Sequence, residues 1–405
     1  MNPPGFPTRI TFAQAEAIVR EVAMAGRLPV ERVAVARAAG RVLAEDVLAP
    51  IQVPSFDNSA MDGFALRSTD AKAGASLGVV GEQFAGRALG LRVDAGECTR
   101  ITTGAPMPAG ADAVVMKENV RYEDGRVILA ATVAAGMHVR KAGEDVTPGD
   151  ALLRMGARLT PAQASLAAAV GIAELPVARR PTVAVFTTGD ELRPPGQSLE
   201  PGEIHDSNRS LLMNLLVAEG LEPVAWPILP DDPARMRPLL RDAGEAFDVV
   251  ITCGGVSAGE KDHLTGIVAE LGLIHFWKVM MRPGMPLLFG QVGQAQMLGL
   301  PGNPVSVFAT FLTLGRQLLR GLQGDASSLP PISARLSMPV AKMHDRREFQ
   351  RGKLDYGGDG MLRVAPHPAT ASHRLRGAAD SDCLIVLPEG PQELALGTLV
   401  SVLRY

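Results

Sequence analysis

The sequence predicts a multidomain chain of the α/β and β classes, and three stretches of one form carry the prediction. Asp248-Val249-Val250-Ile251-Thr252 is a β-branched apolar run typical of a buried parallel strand. It stops at Gly254-Gly255, passes Ser257, and enters the helical spacing Leu264, Ile267, Val268, Leu271. Val183 to Thr187 runs in the same way into Thr188-Gly189-Asp190-Glu191, and Met297 to Leu300 into Pro301-Gly302-Asn303-Pro304. Strand, glycine turn and helix together aim backbone N–H groups and a helix N-terminus at an anion. In an open α/β sheet, loops at the carboxyl ends of strands converge on one crevice. The sheet is expected to be parallel-rich and to span about Pro181 to Gly324.

The remaining chain divides around that unit. Thr11 can cap a helix whose apolar positions Phe12, Ala15, Ile18, Val19 and Val22 share a face, stopped at Gly26. Glu31 to Ala49 is rich in alanine and valine, and periodicity leaves it open between helix and strand. From Pro50 to Val139 short alternating segments broken by Glu123-Asp124-Gly125 and similar turns predict a small β-rich domain. Arg140 to Asp145 reads as a solvated charge run. Leu159 to Gly171, with Pro161 near its first turn, is a helix, so the β-rich part is an insertion into an elongated helical domain. Asp206 or Ser207 caps the helix carrying Leu212 and Leu216. Asp232-Pro233 starts another, whose regularity Pro238 puts in question. Val305 to Leu322 is a long final helix. Beyond Gly324, strands at 332–340, 349–354, 362–365, 383–387 and 399–403 predict a small C-terminal β domain.

Composition bounds the function. The 405 residues are 46% apolar, 20% charged and only 4% aromatic, an ordinary globular balance. A net charge of -3 and a pI near 6.2 lack the basic excess of a general nucleic-acid binder. Cys98, Cys253 and Cys383 are far apart and suit neither a disulfide framework nor a structural zinc site. The start of the chain lacks a secretory pattern, and the apolar run 162–177 is too short to span a bilayer. A cytoplasmic protein is expected.

The carboxylates nearest the glycine turns are Asp190, Glu191 and Asp262, beside turns suited to phosphate. Mg²⁺ takes one or two carboxylates together with phosphate oxygens and water, so a metal–phosphate site is expected there. A lone Asp190 or Asp232 would be read as a helix cap. No Walker-type loop and no G-x-G-x-x-G fingerprint occurs.

Eight segments then bring a family into view. They are FDNSAMDGFA (56–65), TGAPMPAGADAVVMKE (103–118), RKAGEDV (140–146), TTGDEL (187–192), DSNRSLL (206–212), ITCGGVSAGEKD (251–262), LPGNPVS (300–306) and EFQRG (348–352). In this order, over essentially the whole chain, they resemble molybdopterin molybdenumtransferase, the MoeA/gephyrin E-domain family. The resemblance implies an elongated helical domain (1–49 and 147–178), an inserted β-rich domain (50–146), an α/β molybdopterin-binding domain (179–326) and a C-terminal β-barrel-like domain (327–405). It implies a homodimer whose site is shared between subunits. The family's substrates are adenylylated molybdopterin and molybdate, and AMP is released. A separate molybdopterin adenylyltransferase would supply the substrate, and carrier proteins or apo-molybdoenzymes would take the product.

Carried over by position, the resemblance implies catalytic roles for Asp62, Thr103, Asp145, Glu191 and Asp262, with Glu191 and Asp262 holding Mg²⁺. Implied substrate contacts are Gly189, Asp190, Ser207, Gly254, Gly255 and Ser257 on the first turns. Lys278, Arg282, Pro301, Gly302, Pro304 and Arg351 complete them. One departure stands out: where the family has Lys-Pro-Gly-Lys-Pro, this chain has Arg282-Pro283-Gly284-Met285-Pro286. Arg282 keeps the charge in a forked geometry, and Met285 removes a cation, which bears on molybdate against tungstate. Competing readings are a nucleotide phosphohydrolase module, which leaves the Asp62 loop and the C-terminal domain unexplained, and a non-catalytic scaffold, which would not require the acidic set.

Overall fold

The computed structural model describes residues 5–256, 263–326 and 332–405. Its centre is a seven-stranded sheet in the order Thr8–Ile10, Gly272–Val279, Leu288–Val292, Ala295–Leu300, Val249–Cys253, Val183–Thr187, Val224–Ala225. The last four strands in that order run parallel, and Leu288–Val292 is antiparallel to both neighbours. The parallel-rich expectation therefore holds.

Alternate residues of the buried strands feed two cores, as the pleat requires. Val183, Val185, Val249 and Ile251 face one core, and Ala184, Phe186, Val250 and Met297 the other. The first is covered by α1 (Phe12–Ala25) and α3 (Ser207–Ala218), with the helix beginning at Pro304. The second is covered by α4 (Pro233–Ala246) and α5 (Leu264–Leu271). α4 runs unbroken through Pro238. Its buried stripe of Met236, Leu240 and Ala243 packs on the sheet, and tertiary packing outweighs the lost backbone hydrogen bond.

The N-terminus departs from the sequence expectation. Thr11 and Gln14 form a reciprocal capping box, and the buried stripe of Phe12, Ala15, Val19 and Ala23 is as foreseen. Yet this helix packs into the α/β core, and Thr8–Ile10 pairs in register with Trp277 and Val279 of the central sheet. Residues 8–25 thus share the α/β body's core, although the sequence groups them with the elongated domain. Glu31 to Ala49, left open by its sequence, is mainly extended. Val30–Ala34 pairs with Glu174–Ala178, and Val47–Leu48 with Ala151–Leu153. The helix of this region is α2 (Pro161–Ala169), capped by Thr160 and Gln163.

A buried ion network ties that region to the α/β body. Glu219, which caps the end of α3, sits 2.6 Å from Arg316 Nε, 3.0 Å from Arg320 Nε and 3.8 Å from Arg158 Nη2. Arg158 reaches Asp325 as well, at 3.4 Å.

The expected long final helix is continuous but interrupted in its winding: Pro304–Thr310 and Arg316–Leu322 flank a π-helical turn, Phe311–Gly315. Thr310 and Thr313 hydroxyls donate to carbonyls of Ser306 and Ala309, each four residues back, which loosens the ladder at this point. The inserted region forms a six-stranded sheet with its own core of Phe64, Leu66, Leu77, Cys98, Val115 and Val127. In the C-terminal region five strands close into a barrel, because Arg347–Tyr356 pairs with both Leu362–Pro366 and Cys383–Leu387. The expected strand 332–340 divides into Ile332–Leu336 and Val340–Lys342. Pro339, which has no N–H to donate, lies between them.

Candidate active site

Strands Val183–Thr187, Val249–Cys253 and Ala295–Leu300 are parallel neighbours, so the turns after them meet at one edge. The Thr188 hydroxyl donates to the Cys253 carbonyl (3.2 Å), and Gly254 N–H to the Leu300 carbonyl (3.0 Å). Gly254 has φ +93°, and a Cβ there would lie 2.4 Å from Thr188 Oγ1. Only glycine permits that crossing. Asp206, rather than Ser207, caps α3, and it also accepts from Thr187 Oγ1 at 2.6 Å. Ser207 is the first helical residue. Asn208 Nδ2 donates to the Gly302 carbonyl at 2.7 Å, locking the third turn against α3.

Beside these turns, against the barrel, lies a cavity of about 860 Å³. Of the expected residues, Glu191, Arg282, Pro301, Gly302 and Arg351 line it, with Met285. Gly189, at φ +137°, packs directly against the Glu191 carboxylate, where any Cβ would collide. Pro304 starts the helix behind the wall. Asp190 turns its carboxylate toward the Asp231 N–H (3.5 Å), while its carbonyl accepts from Arg193 at 3.0 Å. Lys278 does not line the cavity; its Nζ lies 3.7 Å from the ring centre of Trp277. Ser257 and Asp262 lie outside the described residues.

Sequence reasoning missed several wall residues: Glu348, His367, Ser372 and His373, which stand beside Arg346. Glu348 is buried between Arg282 (3.6 Å) and His344 (3.0 Å). Burial holds the His344 imidazole below its ordinary pKa, with Glu348 opposing. Arg351 is also buried, and its guanidinium donates to the carbonyls of Ala369, Ala371 and Arg374. It therefore fixes the shape of the loop that forms one wall. The signal for Glu348 was its place in EFQRG; nothing local marked His373. The wall carries Arg282, Arg346 and Arg351 against Glu191 and Glu348, a field suited to an anionic ligand. The exposed Glu191 carboxylate makes no hydrogen bond or ion pair with a described residue. Among the described residues no three His, Cys, Asp or Glu side chains gather closely enough to hold a metal alone.

The remaining expected residues sit in the inserted region. Asp62 Oδ1 accepts from Thr103 N (2.8 Å) and Thr103 Oγ1 (2.9 Å), while Oδ2 faces Lys117 Nζ at 4.0 Å. The Thr103 hydrogen bonds, with Lys117 and Arg100 adding charge, hold the Asp62 carboxyl below the usual range, so it is an anion at neutral pH. The Arg140–Asp145 run lies at the surface, as a solvated charge run should, and is anchored there: Lys141 Nζ and Ala142 N both bind Asp57, each at 2.8 Å. Asp145 is exposed on that loop. Neither Asp62, Thr103 nor Asp145 lines the large cavity of its own chain.

Gly63 explains how Asp62 is placed. A Cβ on Gly63 would lie 1.8 Å from the Val115 carbonyl oxygen across the strand pair. Gly63→Ala is expected to lower unfolding stability by about 3 kcal/mol or more. Urea denaturation of the variant checks this.

Fold and site together define a multidomain α/β protein with a cationic crevice at its strand ends. Family models match along the chain: MoeA N-terminal region (domain I and II) at 10–171, probable molybdopterin binding domain at 184–321, and MoeA C-terminal region (domain IV) at 333–405. A molybdopterin molybdenumtransferase of Haemophilus influenzae is 39% identical over 368 residues, 90% of this chain and 91% of that one. One from Synechococcus elongatus is 36% identical over 401 residues, 96% and 98% of the two chains. The crystal structure of a molybdopterin biosynthesis MoeA protein from Pyrococcus horikoshii superposes with a TM-score of 0.85 at 28% identity, covering 98% of this chain and all of that one. The chain belongs to the molybdopterin molybdenumtransferase family.

Proposed function

We propose that this chain inserts molybdenum from molybdate into adenylylated molybdopterin and releases AMP. The observation carrying the reading is the cationic cavity where the first and third strand-end turns, at Glu191 and at Pro301-Gly302, meet the barrel. A pterin phosphate and an oxyanion both need cations, and Arg282 with Arg346 supplies them there. The turns at Gly254-Gly255, with Ser257, cradle the phosphate, and Pro301, Gly302 and Pro304 shape the pterin side.

Glu191 suits a Mg²⁺ site of few carboxylates completed by substrate oxygens, since its carboxylate lines the cavity without a described partner. Asp262 would be its second carboxylate. When bound, Mg²⁺ would offset the repulsion between phosphate and molybdate. Asp62, held by Thr103, orients the attacking oxygen, with Asp145 on the loop beside it. In this reading 50–146 of one subunit of a homodimer meets the large cavity of the other. A separate adenylyltransferase feeds the cytoplasmic enzyme, and carrier proteins or apo-molybdoenzymes receive the cofactor.

The test is AMP release from adenylylated molybdopterin with and without molybdate and Mg²⁺, read beside reactivation of an apo-molybdoenzyme. Molybdate-dependent release with reactivation is expected. Release without reactivation would support the phosphohydrolase reading instead. At the departure from the family pattern, Met285→Lys is expected to lower the molybdate concentration for half-maximal rate by about 5-fold, equivalent to ~1 kcal/mol. An unchanged molybdate dependence would remove residue 285 from the oxyanion site.

A further inference from the structure

The inserted sheet holds a second cavity, of about 310 Å³. Asp62 stands at its rim, and the reading above gives no role to the rest. A volume at the low end of small-molecule pockets suits one heterocycle and its sugar, not a pterin joined to a nucleotide. Its walls are about half apolar, with Val79, Ile101 and Val120 beside two aromatic rings. Phe64 and Tyr122 lie nearly parallel, 12° between planes and 6.2 Å between centres. Phe64 is rooted in the core, whereas Tyr122 is 60% exposed, so much of its side chain remains uncovered in this chain.

The charged groups at the rim come in balanced pairs. Arg100 Nη1 is 2.9 Å from Glu82 Oε1, and Lys117 Nζ is 4.0 Å from Asp62 Oδ2. A phosphate gains little from so balanced a rim, and a wholly apolar ligand would strand its polar groups. A flat nitrogen heterocycle uses both features. One of its faces can stack on the exposed Tyr122 ring, which Phe64 backs from the core, and its edges offer acceptors to Arg100 and Lys117 and donors to Glu82.

We propose that this cavity binds the purine base of the substrate's adenylyl group. The two ends of the substrate are then gripped by different cavities: the cationic one holds the pterin side, and Tyr122, backed by Phe64, holds the base. The identity of the ligand rests on the transferase reading; the binding test does not need turnover.

Calorimetric titration of the full chain with AMP, adenosine and ribose 5-phosphate tests it. AMP and adenosine are expected to bind with similar affinity, and ribose 5-phosphate at least 10-fold more weakly. Tyr122→Ala is expected to weaken AMP by about 10-fold or more, while Tyr122→Phe keeps the ring and the affinity. The Ala change is made at an exposed side chain, and circular dichroism checks its fold. Wild-type AMP affinity in folded Tyr122→Ala, no adenosine binding, or ribose 5-phosphate binding as tightly as AMP overturns the proposal. Tyr122-dependent AMP binding without molybdate-dependent AMP release would keep the pocket and reject only the transferase reading.

Discussion

Replacing Asp62 by asparagine is expected to slow molybdate-dependent AMP release by about 100-fold or more, the usual scale for a lost acid–base group. The amide oxygen can still accept from Thr103 N and Oγ1, so the local geometry survives. What disappears is the negative charge that those hydrogen bonds stabilise. The loss should fall on kcat, with near-UV circular dichroism unchanged; a wild-type kcat would remove Asp62 from the chemistry. The same variant tests whether the site is shared. Mixing Asp62→Asn with Glu191→Gln subunits gives hybrid dimers in which one site has both native carboxylates. Activity is expected to return on mixing, whereas a site built within one chain would stay inactive.

The second large effect is on stability. Glu219→Gln is expected to cost about 3–5 kcal/mol, because it removes the charge shared by three guanidinium groups. Burial already holds Arg316 below its ordinary pKa, with Glu219 as the chief opposing influence. Without Glu219 that burial is uncompensated, and Arg316 and Arg320 are left to repel each other around a neutral amide, while Arg158 keeps Asp325. Guanidinium chloride would screen the repulsion, so urea denaturation is the proper measurement. A loss under about 1 kcal/mol would show that the network is not a structural anchor.

Much of the fold is legible because local chemistry carries it. Thr11 and Pro161 announce helix starts, and the β-branched runs at 183–187 and 249–253 announce buried strands. The glycine turns after them announce the crevice. What the sequence hides is partnership across distance. Nothing in Thr8–Ile10 says that it pairs with Gly272–Val279, and a charged Arg351 looks like a ligand contact until three carbonyls are found around it. Glu348 and His344 are likewise ordinary residues until folding buries them together. Arg140–Asp145 is solvated as read, but its anchor is hidden because Asp57 lies far back in the chain.

The pairing of the first strand with one near residue 277 also has a consequence for synthesis. The apolar stripe of α1 leaves the ribosome early, while Leu318, Leu319 and Leu322, part of the core it joins, emerge roughly 300 residues later. At about 5–20 residues per second, that is a wait of roughly 15 to 60 s. During this interval the inserted sheet can complete its own core, but the α/β body cannot. The nascent chain therefore carries an unsatisfied amphipathic helix, a natural target for holding chaperones until the residues near Leu322 emerge.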